Sequence, residues 1–512
     1  MSSSASPIAS LSQDSTFASR IDGALASAAA AAAMAGSCSR LPDRSRRHPL
    51  AACVSAIFAI SAPTAYANSI VVTRCDDHNM IGDLRHGVAG AGDGDTVDMS
   101  ALACPNSRIS LQLGALETSH DITLLGPGKD QLAITGKYYS SPSSYTIQPD
   151  RILKHTGTGT LTIKNISLTS GNLVSGSPAA GGCVSSTGSV TLDHAGVYFC
   201  RATASTSGAI AAGGGIFAYA LTLRYSSVSG NTAYAGVSGT SLAFGGGAVS
   251  GYFYALRSTI SGNSATGNGV CYTPPGCYAG GLALSGNVTI FSSTISGNTA
   301  QGPIGGIMMK ASAVSSALIG NSTISGNTST TSYIGGIFTA KAATTINNST
   351  IAFNTAKLEG SGSFAPGLAA NVPSNTVSGT VNLRSTLIAN NTYGPTAIEN
   401  DVSATNGTSS TVTISGAENL VRVATVSLPV GTITGACPLL GPLRDNGGPT
   451  LTHALLSHSP GIDQGSNANL LASDQRGPPF ARQSGPAADI GAYEMQQDDT
   501  VFDAGFDGCP AL

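Results

Sequence analysis

Tryptophan and charge are scarce in this chain. None of its 512 residues is tryptophan, charged residues make up only 10%, and the formal net charge is −3. A chain without an excess of basic residues offers no field that would hold nucleic acid or an anionic membrane. The sequence therefore predicts neither partner. The apolar share of 41% is ordinary for a soluble protein.

The middle of the chain lacks carboxylates altogether. Residues 194–358 contain no aspartate and no glutamate. Enzymes that cleave polysaccharides need a pair of carboxylates, or a carboxylate cluster that binds Ca²⁺ beside an arginine or lysine base. We therefore expect this stretch to be catalytically silent and any sugar-cleaving site to lie near the ends. The strong cations of the stretch are Arg201, Arg224, Arg257, Lys310, Lys341 and Lys357.

Motifs of several common catalytic and nucleotide-binding sites are also missing. The chain has no Gly-x-Ser-x-Gly elbow, no His-Glu-x-x-His and no phosphate-binding loop. His155 and His194 are predicted to be isolated polar residues without an acidic partner. Asp93-Gly94-Asp95 lacks the spacing to a bidentate glutamate that a calcium loop requires, so it is predicted to be a solvated turn. The sequence predicts no catalytic residue, no metal ligand and no cofactor.

A phrase of the type Ser-Thr-Ile-Ser-Gly-Asn-Thr recurs along the chain. Such a phrase at a loosely fixed period indicates stacked supersecondary units, since each unit can bury its apolar face only against its neighbours. The copies lie at residues 226–232, 258–264, 293–299 and 322–328, and in weaker form at 349–355 and 385–392. Their asparagines, 27 to 36 residues apart, are Asn231, Asn263, Asn298, Asn327, Asn354 and Asn390.

The composition of each unit favours strands over helices. Short apolar or alternating stretches are separated by glycine, asparagine, serine and threonine. Paired glycines, as at 213–215 and 305–306, permit sharp corners with positive φ, and the repeat asparagines are expected to adopt the left-handed conformation and stack. The alternative, a disordered Ser/Gly/Thr tract, would lack recurring apolar residues. The residues predicted to point inward are Ile260, Ile295, Ile324 and Ile351.

The predicted fold is therefore all-β. Three short strands in each coil, turned by glycine and asparagine, describe a single-stranded right-handed parallel β-helix, with a C-terminal capping or anchor segment. An open end of such a solenoid needs a cover that prevents edge-to-edge pairing.

The N-terminal region resembles an export signal. Arginines at residues 44–47 precede an apolar stretch at 50–60, and cleavage is expected after Ala67 because Ala-Tyr-Ala has the small-x-small pattern. The apolar stretch is too short for a stable transmembrane helix. A lipoprotein signal and a twin-arginine signal are alternative interpretations of the same region. Residues 1–33 precede any usual signal, which makes Met34 a candidate for the true start.

Cysteine usage agrees with export. Eight cysteines remain after the expected cleavage, and none has the Cys-x-x-Cys spacing of a metal site. Their connectivity is open, and several free buried thiols are the alternative. Sequence proximity favours Cys75 with Cys104, Cys183 with Cys200, Cys271 with Cys277 and Cys437 with Cys509. The predicted location is secreted or cell-surface.

Two segments outside the repeats resemble exported proteins. Cysteine, Leu-Arg and Gly-Asp-Thr-Val motifs at residues 72–98 resemble the N-terminal sequence of exported bacterial right-handed β-helix proteins, with His86 where an acidic residue is usual. Leu-Arg-Asp-Asn-Gly-Gly-Pro-Thr at 443–450, Ser-Pro-Gly-Ile-Asp at 459–463 and Asp-Ile-Gly-Ala-Tyr-Glu at 489–494 resemble the choice-of-anchor Q domain of β-helix surface proteins. This resemblance implies fold and location but no reaction.

The chain is expected to have five regions. Acidic residues of the anchor-like region could pair with Arg444, Arg476 and Arg482 as structural clamps. The regions are a signal with its extension at 1–67, an N-terminal cap at 68–136, the β-helix repeats at 137–436, a choice-of-anchor Q-like segment at 437–494 and a short acidic tail at 495–512.

Tyrosines provide the strongest indication of a binding surface. A cluster of tyrosines occupies a stretch of about sixty residues within the repeats. Residues 252–254 must place side chains on both faces of a strand. Exposed tyrosines could stack against sugar rings or a partner protein, whereas buried ones would only pack the coils. The candidate binding residues are Tyr219, Tyr225, Tyr252, Tyr254, Tyr272 and Tyr278.

The predicted function is adhesion to, or binding of, an extracellular glycan or surface protein, without catalysis. One alternative is a polysaccharide lyase or glycoside hydrolase with a site near the ends of the helix. The other is a structural surface spacer. The sequence does not identify the ligand, the anchoring machinery or the oligomeric state.

Overall fold

The computed structural model describes residues 67–136, 150–176, 178–236, 241–267, 279–310, 315–331, 333–357, 364–371, 378–406, 410–497 and 499. Over these residues the chain is a parallel β-solenoid, as predicted. The proposed signal and most of the acidic tail lie outside the described residues. In the described part of the chain, no helix is long and apolar enough to cross a membrane.

Sheet A is the largest sheet of the solenoid, and strands from successive coils pair in parallel along it. Its strands in the described residues are Ser69–Val71, Thr96–Asp98, Leu116–Thr118, Thr123–Leu125, Leu153–His155, Thr160–Lys164, Val184–Asp193, Ile216–Arg224, Ala248–Leu256, Leu282–Leu284, Val288–Phe291, Ile307–Met309, Ser316–Gly320, Ile337–Thr339, Ala343–Asn347, Leu368–Asn371, Gly379–Arg384, Val402–Thr405 and Val412–Ala417.

Three further sheets complete the coils. Sheet B consists of Arg108–Ser110, Ala133–Thr135, Ser167–Thr169, Gly196–Tyr198, Ser227–Ser229, Thr259–Ser261, Thr294–Ser296, Thr323–Ser325, Thr350–Ala352, Leu387–Ala389 and Leu420–Val421. Sheet C consists of Asn172–Ser175, Arg201–Ala204, Thr232–Ala235, Ser264–Gly267, Thr299–Ala300, Thr328–Ser329, Thr355–Ala356, Thr392–Tyr393 and Ile398–Glu399, the last pair antiparallel. Sheet D consists of Ala179–Ala180, Ile210–Ala212 and Leu242–Phe244.

A short helix, α1 (Leu84–Gly90), and a 3₁₀ turn, Pro105–Ser107, stand at the N-terminal end. Asp83 caps α1 by accepting a hydrogen bond from the amide of His86 at 2.8 Å. Leu84 and Val88 are buried in the same core as the first coils, so α1 covers the start of the solenoid.

Acidic residues near α1 are more buried than the sequence predicted. Asp95 is only 7% exposed and accepts hydrogen bonds from the amides of Asn68 and Gly92, so the solvated-turn prediction is wrong for this residue. Asp77 is buried in an ion pair with Arg85 at 2.7 Å. These carboxylates hold the N-terminal turns together.

A continuous ladder of buried asparagine side chains runs through the coils. At each step Nδ2 and the main-chain amide donate to Oδ1 of the asparagine one coil further on, as Asn263 does to Asn298 at 2.9 and 3.0 Å. The second Nδ2 proton reaches a main-chain carbonyl, here that of Val228. Every polar atom of the amide is thereby satisfied, which its burial requires. This amide ladder comprises Asn231, Asn263, Asn298, Asn327, Asn354 and Asn391.

The ladder confirms the predicted stacking and corrects two details. Its sixth member is Asn391, because Asn390 lies at the preceding corner with a φ of 60°. The left-handed residue of the repeat precedes the ladder asparagine, whereas the sequence had assigned that conformation to the repeat asparagine itself. It is a glycine in four coils, for example Gly262 at φ 61°, and Phe353 or Asn390 in the two weaker copies. The ladder ends at Asp401, whose Oδ1 accepts from Asn391. The predicted inward isoleucines are all fully buried.

Glycines between sheets D and A allow neighbouring coils to approach closely. A Cβ added at Gly246 would lie 2.2 Å from the carbonyl oxygen of Ser264. Positive φ occurs in this row at Gly213 and Gly245. Glycine is therefore required in this row by the close approach of neighbouring coils, as well as by the sharp corners that the sequence predicted.

Residues 437–497, called the C-terminal segment from here on, lie along the outer face of sheet B. Gln475 spans two coils: its Nε2 donates to the hydroxyl of Thr294 at 2.8 Å, and its Oε1 accepts from the hydroxyl of Thr323 at 2.6 Å. His453 adds a contact through Nε2, 2.8 Å from Oγ of Ser325. The segment predicted as a cap therefore packs on the side of the solenoid.

A different stretch covers the last coil. Ala424 and Ile433 form parallel bridges with Val402 and Leu420, and Val426 packs against the end of the main core. These residues precede the C-terminal segment, so the exposed edge of the final coil is closed by the chain immediately after it.

Buried ion pairs hold the C-terminal segment together, as the predicted clamps required. The guanidinium of Arg476 pairs with Asp474 at 2.8 Å and lies between the rings of Phe480 and Tyr493, 3.8 and 3.9 Å from their centroids. A second pair joins Arg482 to Glu494 at 3.0 Å. Arg444 departs from the expectation because its Nε donates to Asn446.

Two of the predicted disulfides are present. Cys75 is bonded to Cys104, and Cys183 to Cys200. Cys437 is also disulfide-bonded. Cys271, Cys277 and Cys509 lie outside the described residues, so the pairings proposed for them stay predictions.

Candidate binding surface

Two neighbouring strands of sheet A place tyrosines on the outer face of the solenoid. In Ala248–Leu256 the alternation of side chains buries Phe253 in the core and leaves Tyr252 46% exposed. Tyr254 is partly buried on the same outer face. The prediction that residues 252–254 serve both faces of a strand is confirmed.

Tyr219 and Tyr252 meet on this outer face. Their ring centroids are 5.4 Å apart at an interplanar angle of 61°, an edge-to-face pair. Burial raises the pKa of the Tyr219 hydroxyl, with a further contribution from the adjacent Tyr252. Since Tyr252 is the more exposed partner, its ring is the part of the pair that a ligand can contact.

Tyr254 is associated with a cation from the preceding coil. The guanidinium of Arg224 lies 5.7 Å from the centroid of the Tyr254 ring. Strand register explains the contact, because Thr222 pairs with Tyr254 and Arg224 extends from the end of the same strand. Arg224 is exposed.

The turn from sheet A to sheet B adds further aromatic and cationic side chains beside these strands. His194, Tyr225 and Arg257 occupy this turn in successive coils, each with a φ near +50°. The His194 and Tyr225 rings stack at 4.8 Å with an interplanar angle of 8°. Arg257 lies 5.7 Å from the Tyr225 centroid, and its Nη1 donates to the Tyr225 hydroxyl at 2.9 Å. Contiguous coils thus contribute one aromatic and cationic patch.

The tyrosine–arginine surface is the name used here for Tyr219, Tyr225, Tyr252, Tyr254, Arg224 and Arg257. The structure brings together four of the six tyrosines proposed from the sequence. Tyr272 and Tyr278 lie outside the described residues. His194, predicted to be isolated, is in fact paired with Asp193, its Nδ1 being 2.7 Å from the carboxylate.

The repeat itself carried a signal for Arg257, which was not among the binding residues proposed from the sequence. Tyr225 and Arg257 each precede the first serine of a repeat phrase. Aligning the phrases places both at one position of successive coils, and hence side by side in space.

Two features border the tyrosine–arginine surface. On one side, Phe217 and Val249 of sheet A pack with Ala212 and Phe244 of sheet D in a buried apolar cluster. On the other side the C-terminal segment approaches Arg257: a Cβ added at Gly477 would lie 3.1 Å from its Nη2. The surface therefore lies between this apolar cluster and the C-terminal segment.

The ionisable pair beside this surface is His194 with Asp193. Within the ranges that the structure describes, no cluster of three or more His, Cys, Asp or Glu side chains could hold a metal ion. Asp193, a nearby carboxylate, is engaged by His194 and by Lys164 at 3.6 Å.

His155 is a polar residue of the core rather than of this surface. It is 1% exposed, its Nδ1 lies 2.8 Å from Oγ of Ser186, and burial lowers its pKa. A neutral imidazole in this position satisfies one buried hydroxyl.

Comparison with known proteins adds little about function. No family model matches the chain, and no curated protein matches it. A solved structure, the crystal structure of pectate lyase Pel9A, is similar over 83% of this chain and 96% of that chain, with a TM-score of 0.42 and 14% sequence identity. A likeness at this level supports no inference about what this chain binds.

Proposed function

We propose that the protein is exported and binds an extracellular glycan through the tyrosine–arginine surface. The observation that carries this proposal is the edge-to-face pair of Tyr219 and Tyr252, which presents a half-exposed ring on a rigid strand. Sugar rings bury their C–H faces against aromatic rings, so such a fixed and exposed ring is suited to carbohydrate. Tyr254 continues the aromatic lining on the same strand.

The disulfides support an oxidising location, because such bonds are rare in reducing compartments. We further propose that residues 1–67 direct export and that the choice-of-anchor Q-like segment serves attachment to the surface of the cell. Adhesion would then follow from glycan binding by an anchored β-helix.

A glycan-binding screen on the purified full-length protein tests this proposal. We expect Tyr252→Ala to weaken binding about five- to thirtyfold, since loss of an aromatic contact costs about 1–2 kcal/mol. Because Tyr252 is exposed, the circular dichroism spectrum and the unfolding midpoint should not change. Tyr234→Ala is the control, because Tyr234 lies outside this surface, on sheet C, beneath Arg201.

Two outcomes would contradict the proposal. One is the absence of binding to any glycan in the screen. The other is equal loss of binding in the Tyr252→Ala and Tyr234→Ala proteins. A reducing-end release assay on each bound glycan belongs in the same experiment, and product release that depends on these residues would replace binding with catalysis.

A further inference from the structure

We infer that the glycan held by the tyrosine–arginine surface is anionic, with carboxylate or sulfate groups on its sugars. The inference rests on the proposed function and names the chemical class of its ligand. It comes from the two arginines of the surface, which have no anionic partner in the described residues.

The guanidinium of Arg224 is held over a ring rather than by a carboxylate. It lies 5.7 Å from the Tyr254 centroid, and it enters no ion pair within the described ranges. An arginine has five N–H donors and no acceptor, so an exposed one leaves several donors for a ligand. The ring below restricts its motion and lowers the entropic cost of engaging an anion.

Arg257 is partly buried beside Gly477, and it too lacks an anionic partner among the described residues. Its Nη1 donates to the Tyr225 hydroxyl, while its Nε is buried without a hydrogen-bond partner. No ion pair of Arg257 occurs in the part of the chain that the structure describes. One neutral hydroxyl cannot neutralise the charge, so an anion bound here would gain attraction that the protein does not already supply.

The charge of the surrounding coils acts in the same direction. Residues 194–358 contain six lysines and arginines and no aspartate or glutamate, a net +6. The rest of the chain carries −9, which together give the total of −3. Asp193 is the register partner of Arg224 one coil earlier, but its carboxylate is paired with Lys164 at 3.6 Å and His194 at 2.7 Å and forms no ion pair with Arg224 among the described residues. The surface lies in the positive part of a weakly acidic protein.

Geometry favours anions that have two oxygens in reach. A planar guanidinium forms paired hydrogen bonds with carboxylate or sulfate oxygens, and such charge-assisted bonds are stronger than bonds to sugar hydroxyls. Tyrosine rings would contact the sugar faces while the arginines engage the acidic substituents. A uronate-containing or sulfated polysaccharide combines both features.

The test uses matched polymers. Binding is measured for a polyuronate and for the same polymer with its carboxylates reduced to hydroxymethyl groups, and for a sulfated polysaccharide and its desulfated form. We expect each charged polymer that binds to do so at least tenfold more tightly than its neutral counterpart at low ionic strength. The difference should shrink as salt is added, because exposed charges are screened. Comparing the two pairs tells which anionic group is preferred.

Variants assign the effect to the two arginines. Arg224→Gln and Arg257→Gln should each weaken binding of the charged polymer about five- to tenfold and leave the neutral polymer unchanged. Arg201→Gln is the control, because Arg201 also stacks on a tyrosine, 4.4 Å from the Tyr234 centroid, but lies on sheet C. It should leave binding of both polymers unchanged.

The results separate this inference from the proposed function. If charged and neutral polymers bound equally well, and Tyr252→Ala abolished that binding, the inference of an anionic ligand would be overturned. The proposal of glycan binding would be retained. If Arg201→Gln weakened binding of the charged polymer as much as Arg224→Gln does, positive charge would act without a defined site. That result would also overturn the inference. Absence of binding to every polymer would remove the proposed function itself.

Discussion

Asn298 shows how much one side chain contributes to the solenoid. Its Oδ1 accepts from the main chain and the side chain of Asn263, and its Nδ2 donates to Asn327 and to the carbonyl of Ile260. Removing it would leave buried donors of Asn263 without an acceptor. Each such buried group costs about 1–3 kcal/mol.

We predict that Asn298→Ala lowers the free energy of unfolding by about 2–4 kcal/mol. The control is Asn382→Ala, since Asn382 lies on the outer face of sheet A and donates one hydrogen bond, to Ser415 at 3.2 Å. Urea unfolding followed by circular dichroism measures both. Equal shifts of the two midpoints would contradict a special role for the amide ladder.

At the scale of elements, the C-terminal segment depends on polar contacts with sheet B. His453 is central to them: its Nδ1 lies 2.7 Å from the carbonyl oxygen of Gly441, and its Nε2 faces Ser325. With Nδ1 protonated and Nε2 accepting from the hydroxyl, the neutral ring satisfies both neighbours. Burial lowers the pKa of His453 to about 4.

This pKa predicts that acid loosens the segment. His453 resists protonation in the folded state, whereas an unfolded histidine titrates near pH 6.5. The contribution of the neutral His453 ring to the free energy of unfolding is therefore complete above about pH 6.5. It is lost as the pH falls toward 4, by about 3 kcal/mol in all. Hydrogen exchange of residues 450–456 as a function of pH measures the loss.

A variant isolates the histidine from other buried groups. Burial raises the pKa values of Asp474 and Asp489, which by itself favours the folded segment in acid. We expect His453→Gln to remove the loss of protection between pH 6.5 and 4, while His86→Gln, at an exposed position on α1, keeps it. If His453→Gln retained the full pH response, the assignment would be wrong.

At the scale of the whole molecule, the two ends of the solenoid are stabilised differently. Disulfides Cys75–Cys104 and Cys183–Cys200 lie in the N-terminal coils, whereas the amide ladder begins at Asn231 and runs toward the C-terminus. The main-chain amide of Cys200 donates to Asn231, so the second disulfide stands where the ladder starts. In a solenoid each coil contacts mainly its neighbours, and stability can be lost locally.

We predict that reduction of the disulfides loosens the N-terminal coils first. Closing loops of 29 and 17 residues contributes about 3 kcal/mol each. Over the described residues, hydrogen exchange of the reduced protein should therefore rise between 69 and 204 and stay low between 258 and 356, where the amide ladder is continuous. A uniform rise along the chain would show that the solenoid unfolds as a single unit.

The sequence alone determined the architecture, because the repeat acts at short range. Each phrase specifies one strand, one glycine corner and one asparagine, and identical phrases in stacked coils must meet each other. From their spacing alone, Ile295 could thus be placed in the core and Asn298 in a stack of asparagines. The sequence named Asn390 as the sixth asparagine of the stack, whereas the ladder contains Asn391. This error arose where the phrase is weakest, since two asparagines stand together there.

The lateral docking and the binding surface were decided only by the tertiary structure. Gln475 contacts Thr294 across 181 positions, and no local pattern encodes such a pairing. Coils also differ in length, so the repeat spacing does not fix which residues of sheet A are neighbours. Tyr219 meets Tyr252 because the two strands pair with Ala220 opposite Tyr252, and that register is set by packing of the whole coil.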